Sequence, residues 1–250
     1  MAGPIRRFFT NIICGCIGNK ETRKRVRVVL NSDMVSNIRF IRKNTGLPVK
    51  KLKTFIGYQA RNLLVGINDK YIFKFPLRRS NSDDLAMRES RIVAALAPLS
   101  PTYVPPVNTY MHRGHIVRRY EFISGTQLRK MPLDIALANI DKLAPQVAKF
   151  MFEIGRADPV EIRALKPNPD AKPDYMYGWS QGDICDNFII DMDTMEIIAF
   201  IDWEDCAFGD FSRLFTADKR SPYVELMQAV RVEYDKLYYN AYPKHGEKKK

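Results

Sequence analysis

Ser180-Gln-Gly-Asp-Ile-Cys-Asp-Asn-Phe-Ile-Ile-Asp191 and, further along, Ile201-Asp-Trp-Glu-Asp-Cys-Ala-Phe-Gly-Asp210 decide how this chain is read. Asp183 precedes an apolar run, Asn187 follows on the same loop, and Asp202 stands just beyond a second apolar run. Phe188–Asp191 and Ile197–Ile201 read as two short strands joined at Asp193-Thr194, a turn signal between β-rich segments. A β-hairpin brings its two ends together, so Asp183, Asn187 and Asp202 should converge. Phosphoryl transfer needs such a set. One carboxylate orients the attacking hydroxyl and accepts its proton, while an amide oxygen and a second carboxylate hold Mg²⁺ on the phosphates.

Around these residues the sequence resembles the aminoglycoside phosphotransferase and choline kinase superfamily. The family's loop reads H-G-D-x-x-x-x-N, followed by an apolar strand, then I-D-W-E and G-D. This chain has Gly182-Asp183, Asn187, Ile201-Asp202-Trp203-Glu204 and Gly209-Asp210. The resemblance implies a two-lobed, protein-kinase-like α+β fold with a small β-rich N-lobe and a short, mainly helical C-lobe. It makes Asp183 the catalytic base and Asn187 and Asp202 metal ligands. Within Tyr71-Ile-Phe-Lys-Phe75 and Met87-Arg-Glu-Ser90, it makes Lys74 and Glu89 the pair that meets the nucleotide's inner phosphates. Asn62, in the turn Gly57–Val65 that would cover the phosphates, and Glu121 and Ile123, in the stretch Tyr120–Gly125 that resembles an adenine-receiving hinge, complete the expected nucleotide site. Two departures stand out: Gln181 occupies the histidine's position, and the gap from Asp183 to Asn187 is one residue shorter. The shorter loop leaves Asp186 open as an alternative metal ligand.

The rest of the body fits two lobes. Thr54–Tyr58, Asn62–Ile67 and Tyr71–Phe75 read as strands, with Asn68-Asp69 a hairpin turn. Ser82-Asp83-Asp84 caps a helix whose apolar residues Leu85, Ile92, Val93 and Leu96 recur at helical spacing. Val107–His112 and His115–Tyr120 form a second hairpin around Arg113-Gly114, and Gly125 is a break. Leu133–Ile154 reads as helix, with Pro145 splitting it. Asn168–Asp174 is a proline-rich loop, and Tyr223–Tyr242 is a final amphipathic helix. His112, His115 and His245 sit at no ligand spacing and read as surface residues, and Trp179 and Trp203 read as packing beneath the catalytic loop. Asp210 and Arg213 fit either an acceptor pocket or a capping role.

The chain's 250 residues are 46% apolar, enough to bury a core. Its net charge of +12 is concentrated: residues 1–53 hold 13 lysines and arginines against Glu21 and Asp33, a net +11. A nucleic-acid-binding body would carry its own basic face, so no nucleic-acid partner is expected. The four cysteines form neither a disulfide framework nor a zinc pattern, which suits reduced thiols in a cytoplasmic protein. The reading divides the chain into a leader (1–53), an N-lobe (54–124) and a C-lobe (125–250).

In the leader, Phe8, Phe9, Ile12 and Ile13 can share one helical face beside a basic cluster, Thr22 to Arg27. This pattern suits an anionic membrane surface reached through residues 1–30. A helix packed on the body is the other reading. A signal peptide is disfavoured because Thr10 and Asn11 interrupt the apolar run and no A-x-A-like site follows. The stretch from Arg6 to Arg27 resembles leaders of bacterial enzymes that build capsule and lipopolysaccharide. That resemblance implies a sugar acceptor and a peripheral position on the inner face of the cytoplasmic membrane. Taken together, the chain reads as an ATP- and Mg²⁺-dependent phosphotransferase acting on a hydroxyl of a small molecule or saccharide. A nucleotide-binding pseudokinase scaffold, or an aminoglycoside or choline kinase, is the alternative.

Overall fold

A computed structural model describes residues 4–56, 61–77, 82–184, 187–215 and 223–243. Residues 57–60 of the turn expected to cover the phosphates, together with Asp186 and His245, lie outside these described residues. The fold is α+β, and the chain divides into two compact units, residues 1–87 with 108–122, and residues 88–107 with 123–250.

The first unit opens with three helices, α1 (Pro4–Gly15), α2 (Lys20–Asn31) and α3 (Met34–Thr45). The side chains of Asn19 and Asp33 cap the second and third by accepting from the Thr22 and Ser36 amides. Gly46 ends α3 in the left-handed region at φ 66°, where a residue without Cβ is favoured. An antiparallel sheet follows in the order β1 (Leu52–Ile56), β2 (Asn62–Ile67), β3 (Tyr71–Pro76), β5 (His115–Glu121), β4 (Asn108–His112). Its apolar face buries Leu63, Val65, Ile67, Phe73, Phe75 and Val117 with Ile41 of α3. Residues 34–45, read from the sequence as leader, therefore contribute to this core. His112 is not a plain surface residue: its ring lies 4.4 Å from that of Phe40, and Nε2 is 3.2 Å from Asn37 Oδ1. Burial, and repulsion from Arg113, lower its pKa.

Helix α4 (Ser82–Leu96) runs from the first unit into the second. The second unit holds a three-stranded sheet, β6 (Thr126–Gln127), β8 (Phe188–Asp191) and β9 (Glu196–Phe200), in the order β6-β8-β9. It also holds the two-stranded pair β7 (Tyr177–Ser180) and β10 (Ala207–Asp210). Helices α5 (Leu133–Ala138), α6 (Ile140–Gly155) and α7 (Val224–Ala241) supply a large share of its core. The break in the long helix falls at Asn139, not at Pro145. Pro145 lies one turn and a half inside α6, where its missing N–H leaves only the Asp141 carbonyl without an intrahelical partner. Both residues are exposed, so water can serve that carbonyl and the helix continues. Gly178 lets β7 press against α6: a Cβ there would collide with the Gly155 carbonyl.

Candidate active site

The two loops expected to converge are laced together by one side chain. Gln181, at the end of β7, is 1% exposed. Its Oε1 accepts from the Asp183 amide at 2.9 Å. Its Nε2 donates to the carbonyls of Ile201, at 3.0 Å, and Asp202, at 2.6 Å. All three bonds use the amide's donor and acceptor in the only orientation that satisfies them. Between Gln181 and Asp183 the backbone turns through Gly182 at φ 96°. A Cβ at this position would strike the Asp205 carbonyl oxygen, so both the turn and the close approach require glycine.

Asn187 completes the lacing. Its Nδ2 donates to the Asp183 carbonyl at 2.9 Å, and its own carbonyl accepts from the Ile201 amide at 2.8 Å. With Nδ2 committed, the side-chain oxygen is the atom left to act as a ligand. Asp202 sits at φ 56°, a left-handed conformation uncommon for a residue with a Cβ and concentrated at functional positions. The shortened loop thus keeps Asn187 beside Asp183. The donor set fits magnesium, since the Asn187 amide oxygen and the Asp202 carboxylate are the hard oxygen ligands this ion takes alongside phosphate and water.

Helix α4 holds the same loop from its other end. Glu89, 1% exposed, accepts from the Trp203 amide at 3.2 Å. Arg88 donates through Nη2 to the Cys206 carbonyl at 2.6 Å. Glu89 thus contacts the residue directly after Asp202. Beneath the loop, Trp203 stands edge-on to Phe150 at 5.8 Å, and Trp179 stands edge-on to Phe208 at 5.4 Å, so both tryptophans pack as expected.

Matches to solved structures bear on this arrangement. The GDP complex of wild-type aminoglycoside 2'-phosphotransferase-IIIa superposes with a TM-score of 0.62, at 18% identity, over 82% of this chain and 83% of that one. The streptomycin–ATP–APH(2″)-IIa ternary complex gives 0.54 at 15% identity, over 82% and 84%. Aminoglycoside phosphotransferase APH(3″)-Id from Streptomyces rimosus ATCC10970 gives 0.52 at 13% identity, over 81% and 92%. The fold is that of the aminoglycoside phosphotransferases. No family model matches the sequence, and no curated protein matches it either.

Within this phosphotransferase fold, the remaining expected residues lie as follows. Lys74 stands in β3, 5% exposed, paired across the strands with Leu64 and Arg118. Asn62 begins β2 and is buried, Glu121 ends β5 and is exposed, and Ile123 begins the second unit's chain after the sheet. Arg118, 3% exposed beside Lys74, is a residue the sequence reading missed. The strand alternation around it carried the signal, because it falls on the same sheet face as Lys74. Asp210 caps the turn that follows, accepting from the Ser212 amide at 2.8 Å. That hydrogen bond lowers its pKa.

A second charged cluster lies in the same unit. Asp158 accepts from Lys166 at 2.5 Å, from Lys172 at 3.1 Å and from Arg163 at 3.3 Å. Burial pushes the Asp158 carboxyl up, but these three cations outweigh it and bring its pKa to about 2. The side chain of Lys166 is fully buried, its ammonium lies 4.4 Å from the Phe208 ring centre, and it also donates to the Ala171 carbonyl. The cluster thereby pins the proline-rich loop that leads to β7.

Proposed function

We propose that this protein is a nucleotide-dependent phosphotransferase that moves a terminal phosphoryl group to a hydroxyl of a small molecule or saccharide. The observation that carries this reading is the Gln181 lacing, which holds the Asp183, Asn187 and Asp202 backbones in one hydrogen-bonded frame. Asp183 orients the acceptor hydroxyl and takes its proton as the new O–P bond forms. The bond from the terminal phosphorus to its bridging oxygen breaks, and a nucleoside diphosphate leaves. Asn187 and Asp202 are the residues that would hold Mg²⁺, which when bound neutralises charge on the phosphates. Lys74 is the residue for the inner phosphates, and Arg118 beside it adds a second cation. Glu89 keeps the Asp202 loop in place through the Trp203 amide. Asn62, Glu121 and Ile123 complete the nucleotide site.

The acceptor that the leader favours is a sugar hydroxyl of a bacterial surface polysaccharide, such as lipopolysaccharide or capsule, or of its lipid-linked precursor. That acceptor would put the enzyme on the inner face of the cytoplasmic membrane. Solved neighbours in complex with kanamycin and with streptomycin make an aminoglycoside the competing acceptor. Against it, residues 126–178 mix both signs of charge, where a cationic drug calls for clustered acids. The test is incubation with Mg²⁺-ATP or Mg²⁺-GTP and a panel of sugars, core oligosaccharides, choline and aminoglycosides, with products read by mass. A phosphorylated sugar supports the reading. Nucleotide binding without any transfer would favour a pseudokinase scaffold, and a protein that binds no nucleotide would end both.

A further inference from the structure

Among its described side chains, from Phe9 onward, the first helix is built inside out. Along α1, Thr10 is 2% exposed and Cys14 is fully buried, while Phe9, Ile12 and Ile13 are 55%, 50% and 45% exposed. At about 100° per residue the three large apolar side chains share one side and the two small ones lie on the other. A helix covering a water-soluble core does the opposite, burying its large apolar stripe. The inward side of α1 meets α2 through small contacts: Thr10 Oγ1 lies 3.5 Å from Asn31 Oδ1, and Cys14 Sγ lies 3.8 Å from the Arg23 carbonyl. The link between the helices is fastened by Arg23, whose Nε donates to the Ile17 carbonyl at 2.7 Å. The apolar side is therefore displayed by a helix that is held in place, not by a frayed end.

The neighbouring helix supplies matching charge. Lys20, Lys24 and Arg27 of α2 are exposed at i, i+4 and i+7 spacing, on one face. Residues 1–53 carry a net +11, and Asp33 within them is engaged by Arg113 at 2.7 Å. Large apolar side chains on one helix and a row of cations on the next match a membrane interface, whose acyl boundary takes the first and whose anionic headgroups take the second. No described helix is long and apolar enough to cross a bilayer, so α1 would lie in the interface plane.

We propose that the α1–α2 pair is a docking surface for an anionic bilayer, with Phe9, Ile12 and Ile13 entering the acyl boundary and Lys20, Lys24 and Arg27 over the headgroups. This surface uses none of the phosphotransfer residues and does not rest on that reading. The test is flotation of the full chain with vesicles of phosphatidylcholine alone, and of phosphatidylcholine mixed with phosphatidylglycerol. Binding is expected only to the anionic vesicles, and it should weaken as the screening length falls from about 10 Å at 0.1 M salt to about 3 Å at 1 M. K20Q/K24Q/R27Q should lower partitioning roughly a hundredfold at low salt, and F9D/I13D roughly tenfold or more. Unchanged circular dichroism and an unchanged melting temperature would show that both variants remain folded. Equal binding by wild type and F9D/I13D, or no vesicle binding, would overturn the proposal. So would a lipid-free dimer in sedimentation that F9D/I13D turns into monomer, because the patch would then be an interface between copies of this chain.

Discussion

Around Gln181 the chain buries a carboxamide and gives both its ends partners, whereas along α1 it buries a threonine and a cysteine and leaves a phenylalanine and two isoleucines in the open. The buried carboxamide and the three exposed large apolar side chains both oppose the ordinary sorting of side chains between core and surface. The first is tolerable because every bond the Gln181 amide makes is internal, and an unmet buried amide would cost about 1–3 kcal/mol. The second would be relieved by the bilayer proposed above, which would take the exposed side chains out of water. A site that must hold three side chains in register is built from satisfied polar bonds, which are directional. A surface that must meet a fluid partner is built from apolar area, which is not.

The comparison can be broken most sharply at Asp183. Asp183→Asn should lower the transfer rate by about 10²- to 10⁴-fold while leaving nucleotide affinity within a few-fold, read by single-turnover kinetics and by calorimetric titration. A variant that still transfers phosphate at the wild-type rate would remove the site from the polar side of the contrast. Gly182→Ala should come next. With φ at 96° and the Asp205 carbonyl in the way, an added methyl should cost about 3 kcal/mol or more, visible as a lower denaturant midpoint together with lost activity. Gln181→Leu keeps the bulk but strands two carbonyls and one amide. It should destabilise by about 2–3 kcal/mol and reduce the maximal rate more than it raises the Michaelis constant for nucleotide, since it loosens the frame without touching the phosphates.

Two smaller effects sharpen the contrast. The Asp158 cluster is paired like the Gln181 lacing, around a buried Lys166 side chain, but has no part in the proposed chemistry, so Asp158→Asn should alter stability and leave the transfer rate alone. The sign follows from linkage. The folded pKa of about 2 lies below the ordinary value of 3.8, so the stabilisation is fully present above about pH 4 and is lost as pH falls toward 2. It amounts to on the order of 1–2 kcal/mol after allowance for solvent screening, and a pH series of thermal melts on both proteins would show the two curves meeting in acid. Last, Phe9→Ser with Ile13→Ser should change the melting free energy by no more than about 0.5 kcal/mol in the absence of lipid. A larger loss would mean that these side chains already have a home within the folded chain.

What could be read from the sequence follows the same division. The strands Asn62–Ile67 and Phe188–Asp191 and the start of α4 were legible because turn and capping residues bound them. The approach of the Asp183, Asn187 and Asp202 backbones was expected from hairpin geometry. Other features left little trace. Tyr177–Ser180 and Ala207–Asp210 pair as four-residue strands rich in aromatics and glycine, too short to show a period. Pro145 looked like a helix break, yet solvent around Asp141 makes it harmless, and the true break at Asn139 has no sequence signal beyond a residue that favours turns. Ile41 sits in a basic stretch whose composition says nothing about its docking under the sheet, and His112 became a packed residue only because α3 brings Phe40 to it. Gln181 read as a departure from the family's histidine. Its role depends on the positions of two carbonyls in a loop 20 residues away.

That residue has a consequence for how the proposed site would respond to acid. An imidazole in this place would gain a proton near neutrality and lose its ability to accept from the Asp183 amide. A carboxamide does not ionise anywhere in the range where proteins stay folded. The join between the two loops is therefore indifferent to proton concentration, and any acid limb in the rate profile would report the acceptor, the nucleotide or the carboxylates themselves.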